Sequence, residues 1–173
     1  LVDYFKQLEV DSIIFRNNQD IEEITKHVYS GIVLSPGPGK PCDSGNLLEV
    51  IKYYMDKIPI LGICLGHQAI GNFFNVQIIK AEKPMHGKIS KIQLKNDYIF
   101  KGMPDKINVV RYHSLVLSQL PTELENIAST ANGEIMAIRH KTKNIRGLQF
   151  HPEAILTEYG MNILRNWVVV NEI

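Results

Sequence analysis

The strand-like run Ile60-Leu61-Gly62-Ile63 passes into a helix-like stretch from Leu65 to Phe74 with no linker between them. A chain turns that sharply only where side chains are missing, and Gly62 and Gly66 stand two positions to either side of Cys64. This junction fixes two adjacent elements and sets one thiol at the point of the turn. It is the nucleophile-elbow arrangement with Cys in place of Ser, in which a strained backbone projects the central side chain outward. The positive end of the following helix favours negative charge on the sulfur. A lone thiol can also be a buried structural cysteine, but the paired glycines and the strand-helix setting favour a nucleophile. Cys42 follows a Pro-rich loop without such a setting and reads as an incidental thiol.

The pattern around the elbow extends it into an architecture. Leu1, Val2, Phe5 and Leu8 recur at helical spacing ahead of the β-rich run Ser12 to Phe15. Asp20 can cap a short helix running to Val28, and Gly31 to Leu34 reads as a buried strand. Ser44 can cap a helix with Leu47, Leu48, Ile51, Tyr54 and Met55 along one stripe. Strand-helix alternation with short connections argues a parallel sheet covered on both faces. From Val76 the pattern changes to short strands: Val76 to Lys80, Lys88 to Leu94, Asn108 to Arg111, Leu115 to Ser118, Asn126 to Thr130, Ile135 to Arg139 and Arg146 to Phe150. A last helix follows from about Glu158 to Val170. The expectation is an α/β fold, with a mostly parallel central sheet flanked by helices and a smaller antiparallel portion, in one domain over residues 1–173.

Composition removes several functions. Nineteen basic residues against eighteen acidic ones, in 173, leave no basic tract for a nucleic-acid groove or a membrane anchor. No apolar run approaches the roughly 18 residues of a membrane span. The two cysteines show neither C-x-x-C nor zinc-ligand spacing, which points to a reduced, cytoplasmic setting and to no metal site. The start, Leu1-Val2-Asp3-Tyr4-Phe5, lacks the features of a signal peptide.

Two further segments complete a site with Cys64. Phe150-His151-Pro152-Glu153 ends a strand, and residues two apart in an extended segment share a face. Glu153 can therefore hold one imidazole nitrogen of His151 while the other points at a nucleophile, giving a Cys64, His151, Glu153 triad. The loop Ser35 to Pro41 offers the backbone N-H groups of Gly37 and Gly39, since Pro38 has none. Without G-K-[ST] or G-x-G-x-x-G it is a weak phosphate loop. An oxyanion hole, with the N-H of Gly37 joining that of Leu65, suits it better. Among the other histidines, His67 suggests a polar contact at a helix end, His113 and His86 structural roles, and His27 and His140 solvated faces.

Leu34-Ser35-Pro36-Gly37-Pro38-Gly39, Gly62-Ile63-Cys64-Leu65-Gly66-His67-Gln68, Met85-His86-Gly87-Lys88, Arg111-Tyr112-His113-Ser114-Leu115 and Gln149-Phe150-His151-Pro152-Glu153 occur in this order across the chain. In these pieces the sequence resembles the class I (triad) glutamine amidotransferases. Within them it is similar to the small glutaminase subunits of anthranilate synthase and aminodeoxychorismate synthase, of tryptophan and folate biosynthesis. The resemblance implies that Gln68, Ser114 and Leu115 hold the amino-acid end of L-glutamine, with Gly37, Pro38 and Gly39 at its amide. It also implies no cofactor in this chain and, for a partner, a chorismate-binding synthase subunit.

Two departures accompany it. Ala154 follows His-Pro-Glu where the family has Ser, which removes a hydroxyl near the triad but no member of it. The family also begins with a strand ahead of the helix that here starts at Leu1, so a strand inside the sheet is expected to be missing, leaving the domain incomplete at its N-terminus. Alternative functions are a stand-alone Cys-His-Glu γ-glutamyl hydrolase and a catalytically silent regulatory subunit.

Overall fold

The computed structural model describes the backbone of residues 1–173 and every side chain except that of Cys42, so the reading of that thiol lies outside the described residues. One sheet of seven strands is built from β1 (Ile32–Leu34), β2 (Ile60–Ile63), β4 (Lys88–Leu94), β5 (Lys106–Arg111), β7 (Leu124–Thr130), β8 (Ile135–His140) and β9 (Ile145–Leu148). Their order is β1-β2-β9-β8-β7-β4-β5. The β1-β2 and β2-β9 ladders are parallel, and the ladders beyond β9 are antiparallel. β1, β2, β9, β7 and β5 therefore share one direction, and only β8 and β4 run back. A separate small antiparallel sheet pairs β3 (Ile78–Lys80) with β6 (Leu115–Leu117). The expected fold class holds.

Alternation along β2 sorts the core into two layers. Leu61 and Ile63 face one cluster with Phe5 of α1 (Val2–Gln7) and Ile163, Leu164 and Trp167 of α5 (Gly160–Val170). Ile60 faces the other, with Val50 and Ile51 of α3 (Leu47–Tyr54) and Ala69 and Ile70 of α4 (Leu65–Phe73). The helices thus cover both faces where the strands are parallel, as buried parallel strands require.

Three local expectations are corrected. Residues 12–15 form no strand, and Ile13 and Ile14 are 59% and 71% exposed. Their β-branched side chains favour a ladder, but no neighbouring strand completes one. Ser44 does not cap α3; its hydroxyl donates to the Lys40 carbonyl at 2.6 Å, and Asn46 takes the cap position. The short helix after Asp20, α2 (Ile21–Thr25), stops well before Val28, which is fully exposed.

β1 is one of the two edge strands of the sheet, opposite β5. Beside it lies a cavity of about 900 Å³ between residues 9–17 and 28–35, floored by Phe5, Trp167 and Ile173.

Candidate active site

Cys64 occupies the turn between β2 and α4 with φ 52° and ψ −99°, a left-handed conformation that costs a non-glycine residue energy. The strain is held from both sides. The Cys64 N-H donates to the Leu148 carbonyl of β9 at 2.7 Å, and its own carbonyl accepts from Gln68 at 3.0 Å. Both glycines are obligatory, because a Cβ on Gly62 would stand 2.5 Å from the Gly66 backbone, and one on Gly66 would stand 2.2 Å from the Leu34 carbonyl oxygen. The thiol is buried at the N-terminus of α4, where the helix dipole favours an anion.

His151 follows the end of β9. Its N-H donates to Val110 of β5 at 3.1 Å, and its carbonyl accepts from the Thr157 hydroxyl at 2.7 Å. Thr157 in turn accepts from the Val110 N-H at 3.0 Å, so one hydroxyl ties the turn to β5. Gly160, at the start of α5, lies so close to Pro152 that a Cβ would come within 1.9 Å of its carbonyl oxygen.

The ring's Nδ1 and Glu153 Oε1 are 2.8 Å apart, the contact that the i, i+2 spacing predicted. Nε2 is buried without a well-directed hydrogen bond, yet the Cys64 sulfur is near enough to act on its charge. Burial opposes protonation of His151, but the Cys64 sulfur and the Glu153 carboxylate outweigh it and raise the pKa to about 9. Burial likewise favours the neutral acid at Glu153, and the bond to His151 and its charge overcome this, holding the carboxyl below its ordinary range. The geometry brings a thiol, an imidazole and a carboxylate together from residues far apart in sequence.

The model of the class-I glutamine amidotransferase family matches residues 1–171. The chain belongs to that family. It is 47% identical over 166 residues to anthranilate synthase component 2 of Pyropia yezoensis, covering 94% of this chain and 88% of that one. It is 40% identical over 171 residues to aminodeoxychorismate synthase component 2 of Escherichia coli K12, covering 97% and 91%. A solved structure from Thermoplasma acidophilum, provisionally described as part of a GMP synthase, superposes with TM-score 0.87 at 32% identity, covering 98% of this chain and 85% of the other.

Other residues expected from the amidotransferase motifs gather around the elbow. Gly37 lies over Leu65, whose Cδ2 would be 2.9 Å from a Cβ placed there, and the loop through Pro38 and Gly39 is exposed. Among the described residues, neither the Gly37 nor the Leu65 N-H donates a hydrogen bond to a protein group. Gln68 is buried, and its amide donates to the Leu115 carbonyl at 3.0 Å, which ties the elbow helix to the segment carrying Ser114 and Leu115. Ser114 is exposed, with its carbonyl accepting from Ala81 at 2.9 Å. No group of His, Cys, Asp and Glu fit to hold a metal ion occurs among the described residues.

Sequence reasoning placed some polar residues wrongly and passed over others. His67, expected to make a polar contact at the helix end, is fully buried with no hydrogen-bond partner among the described residues on either ring nitrogen, pressed against Gly147, and burial drives its pKa down to about 3. His140 is buried too, its Nδ1 accepting from the N-H groups of Thr142 at 3.2 Å and Lys143 at 3.0 Å. Gln149 was legible only as part of a motif. Its side chain is fully buried, and its amide nitrogen is 3.8 Å from Cys64 Sγ. Strand alternation alone does not say what such a residue faces.

Proposed function

We propose that this chain is the glutaminase component of a chorismate-using synthase and cleaves L-glutamine through Cys64, His151 and Glu153. The observation that carries the reading is the strained thiol facing a His-Glu pair, in a chain whose relatives are named component 2 of anthranilate and aminodeoxychorismate synthases. Cys64 sulfur attacks the side-chain amide carbon, and the negative charge moves to the amide oxygen, where the N-H groups of Gly37 and Leu65 receive it. His151 passes its proton to the leaving nitrogen, ammonia departs, and a thioester remains. Water, deprotonated by His151, then cleaves the thioester to glutamate and restores the thiolate. Glu153 orients the ring and stabilises its positive form.

Gln68 Oε1 accepts no hydrogen bond among the described residues and suits the α-ammonium of glutamine, with Ser114 and Leu115 beside it. Pro38 and Gly39 border the amide. No step calls for a cofactor. Free ammonia at neutral pH is mostly ammonium and a poor nucleophile, so a docked synthase subunit that binds chorismate is the sensible acceptor, and that subunit sets whether anthranilate or aminodeoxychorismate is made. No helix among the described residues is long and apolar enough to cross a membrane; we place the complex in the cytoplasm.

The test is the complex with a chorismate-using subunit, supplied with glutamine or with ammonium salt. Cys64→Ser should abolish glutamine-dependent product and spare ammonia-dependent product, and a glutamine affinity label should modify Cys64 rather than Cys42. Labelling of Cys42 alone would discard the nucleophile. Ammonia release unaffected by any synthase would favour a stand-alone hydrolase, and none with a synthase present would favour a silent subunit.

A further inference from the structure

A run of buried polar side chains lies behind the elbow: Arg111, His113, Gln68 and Gln149, each at most 5% exposed. Two groups set its hydrogen-bond directions, since a guanidinium can only donate and a backbone carbonyl can only accept. Arg111 is held by Glu134 and by the Ser90 hydroxyl at 3.2 Å, and its Nε donates to His113 Nε2 at 3.0 Å. His113 must then carry its hydrogen on Nδ1, which meets the Leu115 carbonyl at 3.0 Å. Burial, with the charge of Arg111, pushes the pKa of this ring down to about 4, so the neutral tautomer persists at physiological pH.

The Leu115 carbonyl also accepts from Gln68 Nε2 at 3.0 Å. A flipped Gln68 would set its own carbonyl against that oxygen, so its orientation is fixed. The same Nε2 donates to Gln149 Oε1 at 3.1 Å, and this leaves Gln149 with its NH₂ toward Cys64 Sγ at 3.8 Å. The Leu115 carbonyl, which can only accept, fixes the Gln68 amide, and Gln68 in turn fixes the Gln149 amide with its NH₂ toward the reacting sulfur.

We propose that Gln149 is a further catalytic residue, an N-H donor to the Cys64 thiolate whose orientation is fixed by the Leu115 carbonyl and Gln68. The inference rests on the glutaminase reading for its catalytic consequence. Before attack, the amide holds the charged sulfur in place. When the thioester is hydrolysed, the C-S bond of the tetrahedral intermediate breaks, its electron pair returns to sulfur, and the same N-H meets the charge as it forms. His151 and the oxyanion hole act on the nitrogen, the water and the carbonyl oxygen. Gln149 acts on the sulfur.

The experiment uses the full chain with its synthase partner and compares the parent with Gln149→Met, close in volume, and Gln149→Glu, which keeps an acceptor for Gln68 but turns a carboxylate toward the sulfur. Iodoacetamide alkylation of Cys64 and Cys42 is followed by peptide mass from pH 4 to 10. The expected result is a Cys64 profile displaced upward by about one pH unit in Gln149→Met, the low end for a hydrogen bond to a charged group. A larger displacement is expected in Gln149→Glu, with Cys42 unchanged in both. Glutamine turnover should fall about tenfold or more in Gln149→Met, with thioester accumulating on Cys64 in acid-quenched samples. Matching circular dichroism keeps the comparison within folded protein, and if one variant does not fold, the other decides. An unchanged Cys64 profile in a folded variant overturns the proposal. A parent that alkylates normally but releases no ammonia from glutamine beside the synthase would instead overturn the glutaminase reading, while a displaced profile would still establish the amide-sulfur bond.

Discussion

The elbow and the edge beside β1 lie within one sheet, yet they are held in opposite ways. At the elbow every constraint comes from a neighbour: Leu148 anchors the Cys64 N-H, the Leu34 backbone presses on Gly66, and Val110 and Thr157 fix His151. At the edge, residues 12–15 carry equally strong β propensity but form no ladder, and a cavity separates them from β1. A strained backbone persists where its surroundings over-determine it, whereas propensity without a partner builds nothing.

The contrast can be broken most severely at the triad. His151→Ala removes the group that moves the proton and should cost about 10²- to 10⁴-fold in glutaminase rate, the usual range for general acid-base catalysis. Glu153→Gln, which removes only an orienting charge, should cost less. Parental rates in both variants, measured as glutamate release in the complex, would dismantle the triad.

Proton inventory gives the next effect. His151 has its pKa raised to about 9, so its proton is retained at neutral pH and lost as pH rises through that value. The rate should fall about tenfold per pH unit on that alkaline side, since protonation of the leaving amine needs the imidazolium. Glu153→Gln should move this limb to lower pH, because the carboxylate helps to hold the proton. A limb that stays in place in that variant would separate the carboxylate from the ring's charge.

Packing at the elbow comes third. Gly66→Ala places a methyl group against the rigid Leu34 carbonyl and should cost about 1–3 kcal/mol, as forced overpacking does. Denaturant unfolding would measure it, and an unchanged midpoint would mean that β1 yields.

The edge offers the mildest change, and one of opposite sign. An extended β-rich segment fused ahead of Leu1 should enter the cavity, bury apolar surface and raise the Tm by several degrees. A constant Tm would show that the sheet closes without it.

These regions also differ in what could be read from the residues alone. Gly62, Cys64, Gly66, His151 and Glu153 are constrained over two or three positions, so spacing reveals them. The strands from Lys88 to Leu94 and from Ile135 onward follow from β-rich runs bounded by turns, within a residue or so. Burial of His67 and His140 depends on what folds over them, as does the direction of the Gln149 amide, and no local pattern encodes it. The failed strand at residues 12–15 is the reverse case: the local pattern is right, and the missing condition is a neighbour.

The contact between Leu34 and Gly66 has a kinetic consequence. β1 contributes three residues at the edge, runs straight into the loop carrying Gly37, and rests its last carbonyl on the elbow. Excursions of that edge should therefore reach the elbow. If the backbone amides of Val33 and Leu34 open to solvent exchange, the amides of Gly37 and Leu65 should lose their mutual alignment in the same event, and breathing of the edge would then limit how long the proposed anion cradle stays assembled between turnovers.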